Sequence, residues 1–269
     1  MINNTNEFKT VMSRLLIDYY NLYPEASQIN FEIILTDDLC KKHLELRPDL
    51  KDALLAEGIE NENDYNGRTV CPKYVGDTIS ILVNSHKYKE YTDDKSYTWI
   101  GTIAHELTHA VDFSVMASKE NLNTYDPLIK REKYLMFQLW TEYHARRVGY
   151  SFLRYELKVD TDNNSKEERI NHIMKKEMPF HMNHFYNDYH SGIDGNKQLY
   201  LTMQMAGRFS VWCDLFPDIF NDIFLKDTFS QCLWLYNILV FLRNHESLDS
   251  VYDCFDEMRL ILKDNWLFL

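Results

Sequence analysis

The sequence lacks the segments that would place a protein in or across a membrane. It has no run approaching the roughly 20 apolar residues of a membrane-spanning helix, and no basic segment followed by an apolar run near its start. It also has no internal repeat and no low-complexity tract. We therefore expect a cytoplasmic protein that does not bind membranes.

Cysteines are also few, and basic residues are outnumbered by acidic ones. The five cysteines are odd in number, widely spaced and outside C-x-x-C pairs, which predicts neither a disulfide framework nor a cysteine-ligated zinc site. The net charge of -12 argues against a general affinity for nucleic acid. Hydrophobic residues make up 45% of the 269, so the chain can bury a substantial core.

The apolar pattern predicts an α+β chain. Strands are expected at 29–36 and 77–84, where β-branched residues are frequent. Helical periodicity predicts helices at 6–23, 39–46, 128–159, 169–178, and within 197–215, 218–244 and 248–262. The polar segments are predicted as loops or turns at 57–67, 85–96 and 160–168.

These elements, taken in order, predict a small N-terminal sheet with one prominent helix, followed by a mainly helical C-terminal part. We expect a core domain over residues 1–160 that contains the sheet and two long helices. Residues 161–269 are expected to form a helical subdomain, which is either separate or part of the same domain.

Two histidines and a glutamate stand together in the sequence His105-Glu106-Leu107-Thr108-His109. Residues four apart on a helix lie one turn apart on nearly the same face, so both imidazoles can bind one metal ion. Glu106 lies about 100° round the helix from His105, where it can take a proton from a metal-bound water. This H-E-x-x-H pattern predicts a metal site, with a solvated polar helix face as the alternative.

A catalytic zinc ion needs a third protein ligand, and Glu142 is the candidate. It lies in the long helix that Asp126 and Pro127 are predicted to begin, on the same side as several leucines. The alternative is a surface pair of Glu142 with Arg146, four residues further on. Asp112 is expected to orient a histidine rather than bind the metal. The other rivals for this position are His144, which points away from Glu142, and His86, Glu120 and Glu132.

Two further groups have a functional and a structural interpretation. The histidines at 181, 184 and 190 could form a second metal site or donate a hydrogen bond to a substrate. A polar loop packed by its aromatic residues explains them more simply, because their spacing matches no ligand motif. A thiolate at Cys71 could occupy an open zinc position, whereas a buried structural cysteine is the simpler interpretation.

Together with the downstream Glu142, the H-E-x-x-H pattern resembles the zincin metallopeptidases, and within them the gluzincins. The resemblance covers residues 75–150, and in length the chain is similar to short cytoplasmic zincins encoded by bacterial and phage genomes. It implies that His105, His109 and Glu142 bind Zn²⁺ and that Glu106 activates the water.

The same resemblance implies a place for the substrate. The strand that ends at Asn84 would be an edge strand along which an extended peptide lies. Two positions mark the limits of the likeness. The third histidine of the metzincins is replaced here by Val115, and Arg146 stands where thermolysin-like enzymes carry an aspartate.

The expected function is zinc-dependent hydrolysis of peptide bonds in a protein or peptide substrate. Glu106 would take a proton from the water and pass it to the leaving amine. The donor to the oxyanion is expected among Tyr143, His144, Arg146 and the histidines of 181–190. Two alternatives stay open: a zincin-fold binding or regulatory protein without turnover, and a zinc hydrolase acting on a non-peptide amide.

Overall fold

The computed structural model describes residues 5–56, 59–93, 97–126, 128, 131–160, 165–190, 195–230 and 232–263. By its internal packing the chain forms two compact units, Met1–Arg131 and Glu132–Leu269. The first is mixed α and β, and the second has only helices as regular elements among its described residues, so the α+β class is confirmed. The domains at 1–160 and 161–269 stay a prediction, because a packing unit is not by itself a functional domain.

The first unit contains these described elements in chain order: α1 (Thr5–Leu22), β1 (Phe31–Thr36), α2 (Leu39–Leu46), α3 (Lys51–Ala56), β2 (Gly67–Val70), β3 (Ile79–Asn84), α4 (Ser85–Asp93) and α5 (Thr98–Lys119). The predicted first helix, both predicted strands and α2 are confirmed. Asp38 caps α2, since its carboxylate accepts a hydrogen bond from the Lys41 amide at 2.8 Å. A 3₁₀ helix, Ile59–Asp64, lies within the predicted loop 57–67.

The sheet has the strand order β1-β3-β2, with β1 parallel and β2 antiparallel to β3. All six residues of β3 are buried, as expected for a central strand covered on both faces. On one face Val70 and Leu82 pack with Leu39 of α2, and α5 also contacts β2 and β3. Because β3 is paired on both sides, the prediction that the strand ending at Asn84 is an edge strand is wrong.

The segment 85–96 was predicted as a surface loop, but most of it forms helix α4. Asn84 explains the helix start, because its side-chain oxygen accepts hydrogen bonds from the amides of His86 and Lys87. Tyr88 is buried, with its ring 4.9 Å from that of Trp99. Tyr88 therefore packs inside the unit instead of facing solvent. Residues 94–96 lie outside the described part of the chain.

Helix α5, which carries the H-E-x-x-H sequence, is anchored to α1. Tyr19 and Thr108 share a hydrogen bond of 2.8 Å between their hydroxyl groups, and Thr108 also donates to the Ala104 carbonyl. Burial raises the pKa of Tyr19 well above its ordinary value, and the nearby carboxylate of Asp112 raises it further. Tyr19 is therefore a neutral hydrogen-bonding group that fixes the rotation of α5.

The second unit contains these described helices: α6 (Tyr134–Glu156), α7 (Lys166–His172), α8 (Met178–His190), α9 (Gly195–Leu215), α10 (Asp222–Thr228), α11 (Leu233–Asn244), α12 (Leu248–Val251) and α13 (Phe255–Lys263). A π-helical segment, Ile173–Glu177, joins α7 to α8. None of the described helices is long and apolar enough to cross a membrane.

Two predictions about this helical part are wrong. The long helix begins at Tyr134 rather than at 128, and the carboxylate of Asp126 accepts a hydrogen bond from Arg47 at 2.5 Å instead of capping it. Pro127 lies outside the described residues. The histidine segment 181–190 forms helix α8 instead of a loop, with Phe185 buried on its inner side.

Arg154 forms a buried ion-pair cluster within this unit. Its guanidinium lies 2.8 Å from carboxylate oxygens of both Asp160 and Glu177, and its side chain is only 5% exposed. We expect Arg154→Leu to lower the free energy of unfolding by about 3 kcal/mol, because two partly buried carboxylates lose their counter-charge. Urea denaturation measures the change. The exposed pair of Lys166 and Asp218 is the control, and Lys166→Leu should cost less than about 1 kcal/mol. Equal costs for the two variants would contradict this role of Arg154.

Candidate metal centre

The first unit brings His105 and His109 together on one face of α5. Their Nε2 atoms are 3.0 Å apart and the two rings are perpendicular, with centroids 4.6 Å apart. Two nitrogens bound to one tetrahedral zinc ion at about 2.1 Å would be about 3.4 Å apart. The pair therefore needs to open by only a few tenths of an ångström to bind one ion through both Nε2 atoms.

Glu106, between the two histidines in sequence, is held by the edge strand β2. It is 9% exposed, and Thr69 Oγ1 lies 2.8 Å from its Oε2 and 2.8 Å from its backbone carbonyl oxygen. A solvated polar helix face is therefore the wrong description of this sequence, since His105 is also 5% exposed. The carboxylate is positioned by a neutral donor and keeps an oxygen available for a proton.

Gly67 lets β2 approach α5 at this point. A Cβ atom at Gly67 would lie 3.2 Å from Glu106 Cγ, 3.2 Å from Thr102 Cγ2 and 3.1 Å from the Leu82 carbonyl oxygen. These distances are shorter than ordinary carbon contacts. The absence of a side chain at Gly67 is therefore part of what places Glu106.

Glu142 belongs to the second unit, on α6. Its carboxylate is buried, at 5% exposure, and its Oε1 accepts a hydrogen bond from Gln204 Nε2 of α9 at 2.9 Å. Its burial contradicts the alternative that Glu142 is an exposed surface residue. A buried carboxylate oriented by an amide donor has the character of a metal ligand with an outer hydrogen-bond partner.

Three of the rivals for the third ligand have surroundings that the structure describes. Asp112 is 3% exposed and lies close enough to Tyr19 to raise its pKa. His144 stacks on the Trp140 ring with centroids 5.0 Å apart. Glu120 is paired with Arg131 at 3.5 Å. The expected role of Asp112, which is to orient a histidine, stays a prediction.

Cys71 directly follows the last residue of β2, and its role as a ligand stays a prediction. Burial raises the pKa of Cys71 to about 12, although Arg47 and Arg68 act in the opposite direction. The thiol is therefore protonated near pH 7 in the metal-free chain. The Cys71 carbonyl accepts a hydrogen bond from Arg47 Nη1 at 2.9 Å, which fits the structural interpretation of this residue.

Sequence patterns gave no indication of Thr69, Gly67 or Gln204. Strand β2 is only four residues long and follows a polar segment, so no alternation marks it. Gln204 is one polar residue in a long helical pattern. Each of the three residues acts through a contact with a helix that is distant in the sequence.

Comparison with known proteins assigns no family to the chain. No protein-family model matches the chain, and neither a curated protein nor a solved structure matches it at a significant level.

Proposed function

We propose that the chain is a zinc-dependent metallopeptidase with a zincin-like arrangement of its first unit. The observation that carries the proposal is the pair of His105 and His109, whose Nε2 atoms are 3.0 Å apart, with the buried carboxylate of Glu106 beside them. Histidine pairs with this spacing suit a metal ion of the zinc type. A neighbouring carboxylate that is fixed but not itself a ligand suits a general base.

Glu142 is the third ligand in this proposal. His105 and Glu142 are each 5% exposed, and His109 is half-buried, so all three side chains are at least partly shielded from solvent. Two neutral imidazoles and one carboxylate form a donor set that catalytic zinc ions use. Gln204 would orient the carboxylate from behind.

When bound, a zinc ion supplies Lewis-acid chemistry and lowers the pKa of water towards neutrality. The chain's own contribution is made by Glu106, which accepts a proton from the attacking water and delivers it to the leaving amine. Thr69 holds this carboxylate through Oε2, so the other oxygen is the one that carries the proton. Strand β2, an edge of the sheet beside Glu106, is where an extended peptide would pair in place of the central strand β3.

The test is metal-dependent cleavage of a peptide library by the full chain, followed by detection of new peptide termini. We expect cleavage by the native chain with zinc and none by Glu106→Gln. New small-molecule products without peptide termini would favour hydrolysis of a non-peptide amide. Zinc binding without any turnover would favour a binding protein.

The close contact at Gly67 gives a separate test of how Glu106 is placed. We expect Gly67→Ala to lower the free energy of unfolding by about 1–3 kcal/mol and to reduce hydrolysis, because the added Cβ displaces Glu106. Gly76→Ala is the control. Gly76 has a φ of 95° with open space around it, so alanine there strains the backbone without touching Glu106. Comparable loss of hydrolysis in both variants would show that instability, not displacement, is the cause.

A further inference from the structure

Helices α6 and α9 of the second unit run parallel and contact each other through pairs of residues. The two residues of each pair are 62 positions apart in sequence, and we call such a pair a rung. Glu142 and Gln204 form one rung through the 2.9 Å hydrogen bond. Two turns further along both helices, Trp212 Nε1 donates to the Tyr150 hydroxyl at 3.3 Å and forms another. The rung between them is therefore fixed by helix geometry.

That middle rung consists of two arginines, Arg146 and Arg208. Each lies four residues after its partner in the first rung, on the same helix face. The helices are close here, since a Cβ atom at the adjacent Gly207 would lie 2.9 Å from Arg146 Cβ. Both arginines are half-buried, so solvent still reaches them.

Neither guanidinium of this rung has a carboxylate partner within the described part of the second unit, and the buried Nε of Arg146 makes no hydrogen bond. The other two arginines of α6 differ. Arg147 pairs with Asp214 at 2.8 Å and with Glu246 at 2.9 Å, and Arg154 has its own two carboxylates. Among the described residues of this unit, the other two α6 arginines therefore have carboxylate partners, whereas Arg146 and Arg208 have none.

The surroundings of the rung are aromatic. His181 of α8 has its ring 5.9 Å from that of Tyr150 and 6.1 Å from that of Trp212. Burial, together with the charge of Arg146, lowers the pKa of Arg208 to about 9, and Glu142 is only a minor influence in the other direction. Burial, followed by the charges of Arg208 and Arg146, lowers the pKa of His181 to about 3. His181 is thus neutral near pH 7, whereas both arginines are charged.

We propose that Arg146 and Arg208 bind a small oxyanion, a carboxylate or phosphate group, with the imidazole of His181 as a neighbouring donor. Two like charges held together in a partly buried site beside aromatic rings are costly unless an anion neutralises them. The planar guanidinium fork matches the spacing of carboxylate and phosphate oxygens. All three residues lie in the second unit, so the inference does not rest on the proposed metallopeptidase function.

The test is the thermal midpoint of the full chain in inorganic phosphate, in acetate, and in chloride at equal ionic strength. An anion at about 100 times its dissociation constant should raise the midpoint by roughly 5 °C or more over chloride. Arg208→Gln should raise the midpoint in chloride, because one of two repelling charges is gone, and should abolish the rise with the anion. Arg147→Gln, which removes a paired arginine, should lower the midpoint but keep the rise.

A rise with phosphate alone, with acetate alone or with both supports the site and identifies the group that it prefers. The same measurements on His109→Ala separate the site from the histidine pair, and the rise should persist there. Arg208→Lys keeps the charge without the fork and should weaken the anion at least tenfold, which covers the case of a glutamine variant that does not fold. The proposal is overturned by no rise over chloride in the native chain, by an undiminished rise in Arg208→Gln, or by loss of the rise in His109→Ala.

Discussion

Glu106→Gln is expected to lower the rate of peptide hydrolysis by about 10²- to 10⁴-fold while leaving zinc content and thermal stability unchanged. Glutamine has the shape of glutamate, so it can still accept the Thr69 hydrogen bond through its side-chain oxygen. It cannot accept a proton from water. The loss should therefore appear in kcat, because the substrate contacts remain.

The matched control for this variant is Glu120→Gln. Glu120 is the C-cap residue that follows α5, and it is paired with Arg131, so the same substitution removes one charge at the end of the same helix without touching Glu106. Its rate should stay within about twofold of the native rate. Thr69→Val is the intermediate case, expected to lose about tenfold because Glu106 remains but is no longer held. Hydrolysis by Glu106→Gln at more than a tenth of the native rate would exclude Glu106 as the base.

The H-E-x-x-H helix was predictable because its evidence is local. The four-residue spacing of His105 and His109 places both on one helix face whatever surrounds the helix, and the structure brings their Nε2 atoms to 3.0 Å. The strand over 77–84 was predictable for the same reason, since its run of β-branched residues requires no knowledge of its neighbours.

Two predictions were wrong because they depended on partners distant in sequence. The helix over Ser85–Asp93 was missed because the burial of Tyr88 depends on Trp99 and on Phe8 of α1. The central position of β3 depends on β1 and β2 pairing on either side, which no property of residues 79–84 reveals.

The electrostatic environment of Arg146 could not be predicted from the sequence either. Arg146 appeared as a partner for Glu142 or a donor to the oxyanion, because only its own helix could be considered. Packing of α9 on α6 places Arg208 opposite it, and Gly207 permits the approach. The proposed anion site requires both guanidiniums side by side, and neither helix alone predicts it.

Loss of zinc from His109→Ala and from Glu142→Ala is the second large effect that we expect. Each variant removes one of three protein ligands, so the affinity for zinc should fall by more than about 100-fold. This loss is larger than the roughly 10- to 100-fold loss expected when a hydrogen-bond partner of a ligand is removed. Gln204→Leu removes such a partner of Glu142, so its zinc affinity should fall by only about 10- to 100-fold. His144→Ala is the control, because His144 lies two residues from Glu142 but stacks on Trp140.

The most direct measurement is therefore the zinc content of the untagged chain, compared with His109→Ala, Glu142→Ala and His144→Ala. The account predicts about one zinc per chain in the native protein and in His144→Ala, and little or none in the other two variants. Zinc that is retained in Glu142→Ala would place the third ligand elsewhere. A native chain that binds no zinc at all would contradict the proposed function itself.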